Sequence, residues 1–265
     1  MQTNSLDSAK RGRIILVSVV ITFLAFLIKI SQSSNEIGLF QIFFNAGVVG
    51  VVTYFGLLWA LRFQITFRTL VYVISQPALI TFILTLFLQM FVFRRVGRVY
   101  EFLILILISL LMFFATYASL LMANIFNVSS IKEIPLVQVG KTTSFILSIM
   151  SIFFSSYVIL ESQSNGYVTI LLLSVMYFFI VLTHIRHLNI PRNSIWKSFS
   201  TIFALLLIGA IVQVIAGGNA LVSATVPTVI AYSLFSIMTL ENITNLQKIE
   251  YFAITLVAFF LNFFI

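Results

Sequence analysis

The chain has 265 residues, of which 61% are hydrophobic and only 8% charged, and a mean hydropathy of +1.14 excludes a water-soluble core. With no cysteine and two histidines it has no disulfide, no thiolate nucleophile and no dedicated zinc or haem site, so neither metal nor cofactor is expected. The net charge of +8 would suggest nucleic acid in a soluble protein, but here the basic residues flank apolar runs. The expected partners are therefore the lipid bilayer and its anionic headgroups, with no nucleic acid.

A helix crossing roughly 30 Å of hydrocarbon needs about 20 residues. Runs of that kind are predicted at about 14–30, 37–61, 69–93, 99–123, 143–160, 167–185, 199–217, 220–240 and 249–265. They define an all-α, polytopic membrane helix bundle of about nine spans, a single transmembrane domain over 1–265 with no soluble domain. The first run follows Lys10, Arg11 and Arg13 much as the apolar part of a signal peptide does. No small-x-small cleavage site follows it, so it is expected to stay as a span. The longest connector, Asn124 to Thr142, is expected on the headgroup boundary, and Trp196 beside Lys197 reads as an interfacial anchor. The expected location is the cell (inner) membrane.

Lysine and arginine set the orientation. With the N-terminus cytoplasmic and nine spans, eleven basic residues fall inside and four outside, which puts the C-terminus outside. If 69–93 dipped in and returned at its Gln76-Pro77 break, the bias would fall to eight against seven. The outer four are Lys29 and the cluster Arg94, Arg95 and Arg98, which runs against the rule and is the candidate contact for an anion or headgroup, since guanidinium pairs with phosphate and carboxylate.

No charge falls in the middle of any span, where it would cost about 2.5–3.5 kcal/mol and so mark a function. Neutral polar residues do occur there, at helical spacing. Ser144, Ser148, Ser151 and Ser155 form one face of the fifth span, and Thr225, Thr228, Tyr232, Ser236 and Thr239 one face of the eighth. In the second span Gly38, Gln41, Asn45, Val52 and Gly56 share a face, with Ala46 and Gly50 as a small-xxx-small contact. Such faces either glue helices together or converge on a polar cavity. The candidate cavity residues are Gln41, Asn45, Ser148, Ser151, Ser155, Thr228, Tyr232 and Ser236.

Other constellations are weaker. His184-x-x-His187 lacks a third ligand and is expected among headgroups beside Arg186. Glu36, Glu101 and Glu161 stand at helix ends, where a solvated carboxylate is ordinary. Gly140-Lys141-Thr142 lacks the first glycine of a phosphate-binding loop, and the sequons at Asn127 and Asn242 fall on the cytoplasmic side. Pro77 and Pro227 would correspond if the first four and last four spans were inverted repeats about the fifth. No catalytic constellation is recognisable, so an enzyme is not expected.

The best reading is a small permease or flippase-like module that binds a neutral or lipidic solute along the Ser/Thr-lined faces. One alternative is a non-catalytic scaffold or subunit, which would imply another membrane protein as partner. A further alternative is a lipid-processing enzyme using the outer arginines.

Overall fold

The computed structural model describes residues 2–32, 38–62, 73–90, 98–129, 136–162, 164–187, 192–239 and 244–264. Every element among them is a helix: α1 (Gln2–Ser31), α2 (Leu39–Ala60), α3 (Ser75–Met90), α4 (Arg98–Ser129), α5 (Val137–Glu161), α6 (Gly166–His187), α7 (Arg192–Ala216), α8 (Ala220–Ser223), α9 (Thr225–Thr239) and α10 (Asn245–Phe264). Within lipid a helix is the one open-ended structure that satisfies all its own backbone groups, so apolar composition and helical form belong together. Seven helices among the described residues are long and apolar enough to cross a membrane, the seventh being α8 and α9 taken together.

Two expected spans differ. The third is realised as α3, whose 16 residues rise only about 24 Å at 1.5 Å each. The ninth corresponds to α10, whose opening turns carry Asn245, Gln247, Lys248 and Glu250. Helices also run further than their apolar cores. α4 continues to Ser129 and α5 begins at Val137, so most of the expected 124–142 connector is helical, and Asn127 is buried within α4. Pro77 interrupts no described helix, whereas Pro227 follows the break at Ala224 that divides the 220–239 span into α8 and α9. Each is the third residue of a helix, α3 and α9 respectively, where the backbone N–H it lacks would have had no intrahelical partner.

The chain forms two compact units, Met1–Leu147 and Ser148–Ile265, with the division inside α5. In the first, α2 packs on α3 and α1, and α4 packs on α1 and α3. Gly50 allows the α2–α3 approach: a Cβ there would lie 3.2 Å from the Ala78 carbonyl oxygen. Arg13 sits over the Trp59 ring at 5.0 Å, which puts the beginning of the apolar part of α1, eleven residues into the helix, beside the end of α2. α3 is almost wholly buried, so its polar residues need partners in the protein. Thr81 donates to Thr53 Oγ1 at 2.8 Å, Gln76 Nε2 donates to Ser144 Oγ at 3.0 Å, and Lys29 Nζ donates to the Gln89 carbonyl at 2.8 Å. The last contact brings the ends of α1 and α3 together.

In the second unit α6 packs on α7, α7 on α9, and α9 on α10. Gly209 of α7 faces α9, where an added Cβ would meet Ile230 Cδ1 at 2.7 Å. The one-turn α8 is capped by the Asn219 side chain, whose Oδ1 accepts from the Leu221 N–H at 2.9 Å.

Candidate functional site

All four serines of the α5 face are buried, at 0, 2, 4 and 0% exposure in chain order. The two whose partners are defined by geometry are engaged with neighbouring helices. Ser144 meets Gln76 in the first unit, and Ser148 Oγ shares a hydrogen bond of 3.2 Å with His184 Nδ1 in the second. Two turns further along the same pair of helices, Ser156 Oγ and Tyr177 Oη share a bond of 2.8 Å. Ser155 turns back to the Ile152 carbonyl. The α5–α6 contact is thus a seam of interhelical hydrogen bonds at Ser148 and Ser156.

His184 departs from its expected surroundings. It was expected among headgroups, yet it is fully buried, bonded to Ser148, with its ring centroid 4.1 Å from that of Phe235 on α9. Lipid-facing and protein-facing surfaces are both apolar, so position along the sequence said nothing about which way the imidazole points. The side chain of His187 lies outside the described residues. Among those described, no three metal-binding side chains cluster.

The other two predicted faces are only partly buried: Ser236 is, but most of their polar residues are not. Tyr232 is 40% exposed and packs against the Tyr251 ring, and Thr228 is half-buried with its hydroxyl bonded back to the Ala224 carbonyl. The buried side of α9 is Pro227, Ala231, Ser233, Phe235 and Ser236. Ser233, overlooked in the sequence, reaches Thr255 Oγ1 of α10 at 3.0 Å. On α2, Gln41 is exposed and Asn45 half-buried, whereas Ala46, Val49, Gly50 and Thr53 face inward. On α2 the shift is about one residue, or 100° of rotation, while on α9 the predicted Ser236 is itself on the buried side. The small residues that allow close packing, Gly50 on α2 and Ala231 on α9, set the inner face instead of the larger polar ones. Arg94, Arg95 and Glu36 lie outside the described residues, as do the side chains of Arg98 and Glu101.

A polar cavity does exist in the second unit, away from the predicted faces. It has a volume of about 510 Å³ and opens where the α5–α6 turn meets the α7–α8 turn. Its buried wall is Thr169, Gln213 and Ser223, each 4% exposed or less, and Glu161 stands exposed at its rim. Local sequence explains the shape. Asn165 and Asn219 each precede a helix and accept from a first-turn N–H with their side chains, which leaves the turns tight. Gly217 ends α7 with φ +65°, the left-handed conformation that glycine adopts without steric cost. Ser164 Oγ and Thr169 Oγ1 share a bond of 2.8 Å across the mouth of the first turn. Ser223 Oγ, buried on the wall, hydrogen-bonds to no atom of the described residues.

The sequence held a signal for this site. Ser162 to Gly166 and Gly217 to Asn219 are the polar, glycine-bearing turns on one side of the nine-span scheme, and Gln213 is the one amide in an otherwise apolar run. Periodicity within a helix could not join them, because they come from different helices. No protein-family model, curated protein or solved structure matches the chain.

Proposed function

We propose that the chain is a small permease-like membrane module that binds an uncharged polar or lipidic solute without transforming it, and that the cavity bounded by Thr169, Gln213 and Ser223 is where that solute docks. One observation carries the reading. A hydroxyl buried without a protein partner costs about 1–3 kcal/mol, and Ser223 holds one on the wall of a 510 Å³ polar space. That volume is within the range of small-molecule sites, roughly 300–1,000 Å³.

In this proposal the chain crosses the cell membrane nine times, with the N-terminus inside and the C-terminus outside. The pairing of the α5–α6 and α7–α8 turns at one end of the second unit supports that alternation, as does the contact of Lys29 with the end of α3. The cavity then opens outward, and the outer assignment of Arg94, Arg95 and Arg98 as headgroup contacts rests on the sequence alone.

The chain contains no cysteine, so a single introduced thiol is a clean reporter. Ser223→Cys in proteoliposomes of the full chain is expected to react with a membrane-impermeant maleimide added outside, while Ser148→Cys, within the α5–α6 seam, stays unreactive. A folded Ser223→Cys protein that is not labelled from the outside refutes the reading.

A further inference from the structure

The chemistry of the cavity wall specifies its ligand further, on the premise just given that the cavity is a solute site. Charge comes first. Among the described residues of the lining Glu161 is the one carboxylate, and none of them is a lysine, arginine or histidine. An anion would therefore meet a carboxylate at the rim and no cation behind it. A cation fares little better: Glu161 is exposed, and across water a pair at 4 Å gains only about 1 kcal/mol. Moving inward, a cation would shed its hydration against neutral Thr169, Gln213 and Ser223, at several kcal/mol without a counter-charge.

Hydrogen-bond type comes next. Hydroxyls of serine and threonine donate and accept at one atom, and the glutamine amide does both at neighbouring atoms. Thr169 Oγ1 is already bonded to Ser164, so the open capacity is that of the Ser223 hydroxyl, and a ligand that only accepts, such as a ketone, or only donates, such as an ammonium, leaves half of it unused. Hydroxyl groups match it, since each also donates and accepts. Finally, Gly166, Gly217 and Gly218 line part of the space without side chains, beside the apolar Leu160 and Val214, which leaves room for a ring or branched chain several atoms wide with an apolar edge.

We infer that the cavity takes the hydroxyl-rich part of an uncharged ligand, a sugar or polyol, presented either as a free solute or as the headgroup of a glycolipid. Ser223 Oγ makes its hydrogen bond to that ligand, with Gln213 and Thr169 beside it.

The test uses protection of the same thiol. The full-length Ser223→Cys chain is placed in vesicles, and its maleimide labelling rate is measured with glucose, mannitol, choline or inorganic phosphate, and in vesicles containing monoglucosyl-diacylglycerol. Labelling slowed several-fold by glucose or mannitol, but not by choline or phosphate, supports the inference with a free solute as the source. Slowing confined to the glucosyl-lipid vesicles supports it with a headgroup as the source. Labelling that choline or phosphate slows as much as sugar does, or that nothing in the panel slows, overturns the ligand class while the cavity stands as a solvated site. Absence of labelling overturns the site itself. Ala220→Cys, on the same cavity, repeats the measurement if Ser223→Cys does not fold.

Discussion

Replacing Ser148 with alanine tests whether the α5 serine face is a helix-to-helix seam. The change removes one oxygen, so the void it leaves is small and the main loss is the 3.2 Å hydrogen bond to His184. Both residues are at most 2% exposed, so no outside water replaces that bond. Deleting one partner of a buried pair costs about 1–3 kcal/mol in soluble proteins, while interhelical pairs in bilayers average about 0.6 and reach about 1.7 kcal/mol. The expected coupling between the two side chains is therefore about 0.6–1.7 kcal/mol. A double-mutant cycle measures it: Ser148→Ala, His184→Phe and the double variant, each unfolded by denaturing detergent in mixed micelles. Phenylalanine keeps an aromatic ring against Phe235, and in its presence the Ser148 hydroxyl can turn to the carbonyl four residues back, so removing that hydroxyl becomes nearly free. If Ser148→Ala costs the same with and without His184, the seam is not what holds α5 to α6. The same variants are expected to leave the accessibility of a thiol at Ser223 unchanged, which separates seam from cavity.

Three other outcomes follow from close contacts. Gly56→Ala is expected to lose about 1–3 kcal/mol, because the new methyl would lie 2.9 Å from Val17 Cγ1, a branched side chain with little room to turn; Gly47→Ala, with nothing within 4 Å, should gain about 0.5–1 kcal/mol in the same detergent titration. Gly217→Ala is expected to cost about 1–2 kcal/mol through its positive φ, and Asn219→Ala about 1 kcal/mol through the lost α8 cap, both read as faster amide exchange in 213–223. Thr81→Val should cost only about 0.6 kcal/mol, because Thr53 keeps its own 2.8 Å bond to the Val49 carbonyl; a loss several times larger would show that the α2–α3 contact depends on the hydroxyl pair.

Along each helix the sequence was informative, and across helices it was not. The serine face of α5 was legible because four small polar residues at intervals of four, three and four stand out against phenylalanine, isoleucine and leucine. On α2 the same reasoning chose a face one residue away from the buried one, and on α9 it included the buried Ser236 but missed Ser233. There the inner side is set by Ala231 and Gly50, whose advantage is closeness to a neighbour and not polarity. His184 was placed among headgroups for a related reason. An imidazole near a run's end looks like an interfacial residue until Ser148 and Phe235 are seen to enclose it.

By itself the amino-acid sequence determined the solvent, the all-helical form, the approximate place of each long helix and the absence of charge from their centres. Those follow from local quantities: apolar length against bilayer thickness, and the need of every backbone group for a partner within its own helix. Tertiary structure alone decided which stripe of each helix faces inward, that the third apolar run yields a short buried helix, and that Thr169, Gln213 and Ser223 meet. In a membrane protein the outward surface is as apolar as the core, so hydropathy cannot orient a helix about its own axis. Packing of small residues and the pairing of scarce polar groups do that, and both are properties of two helices at once.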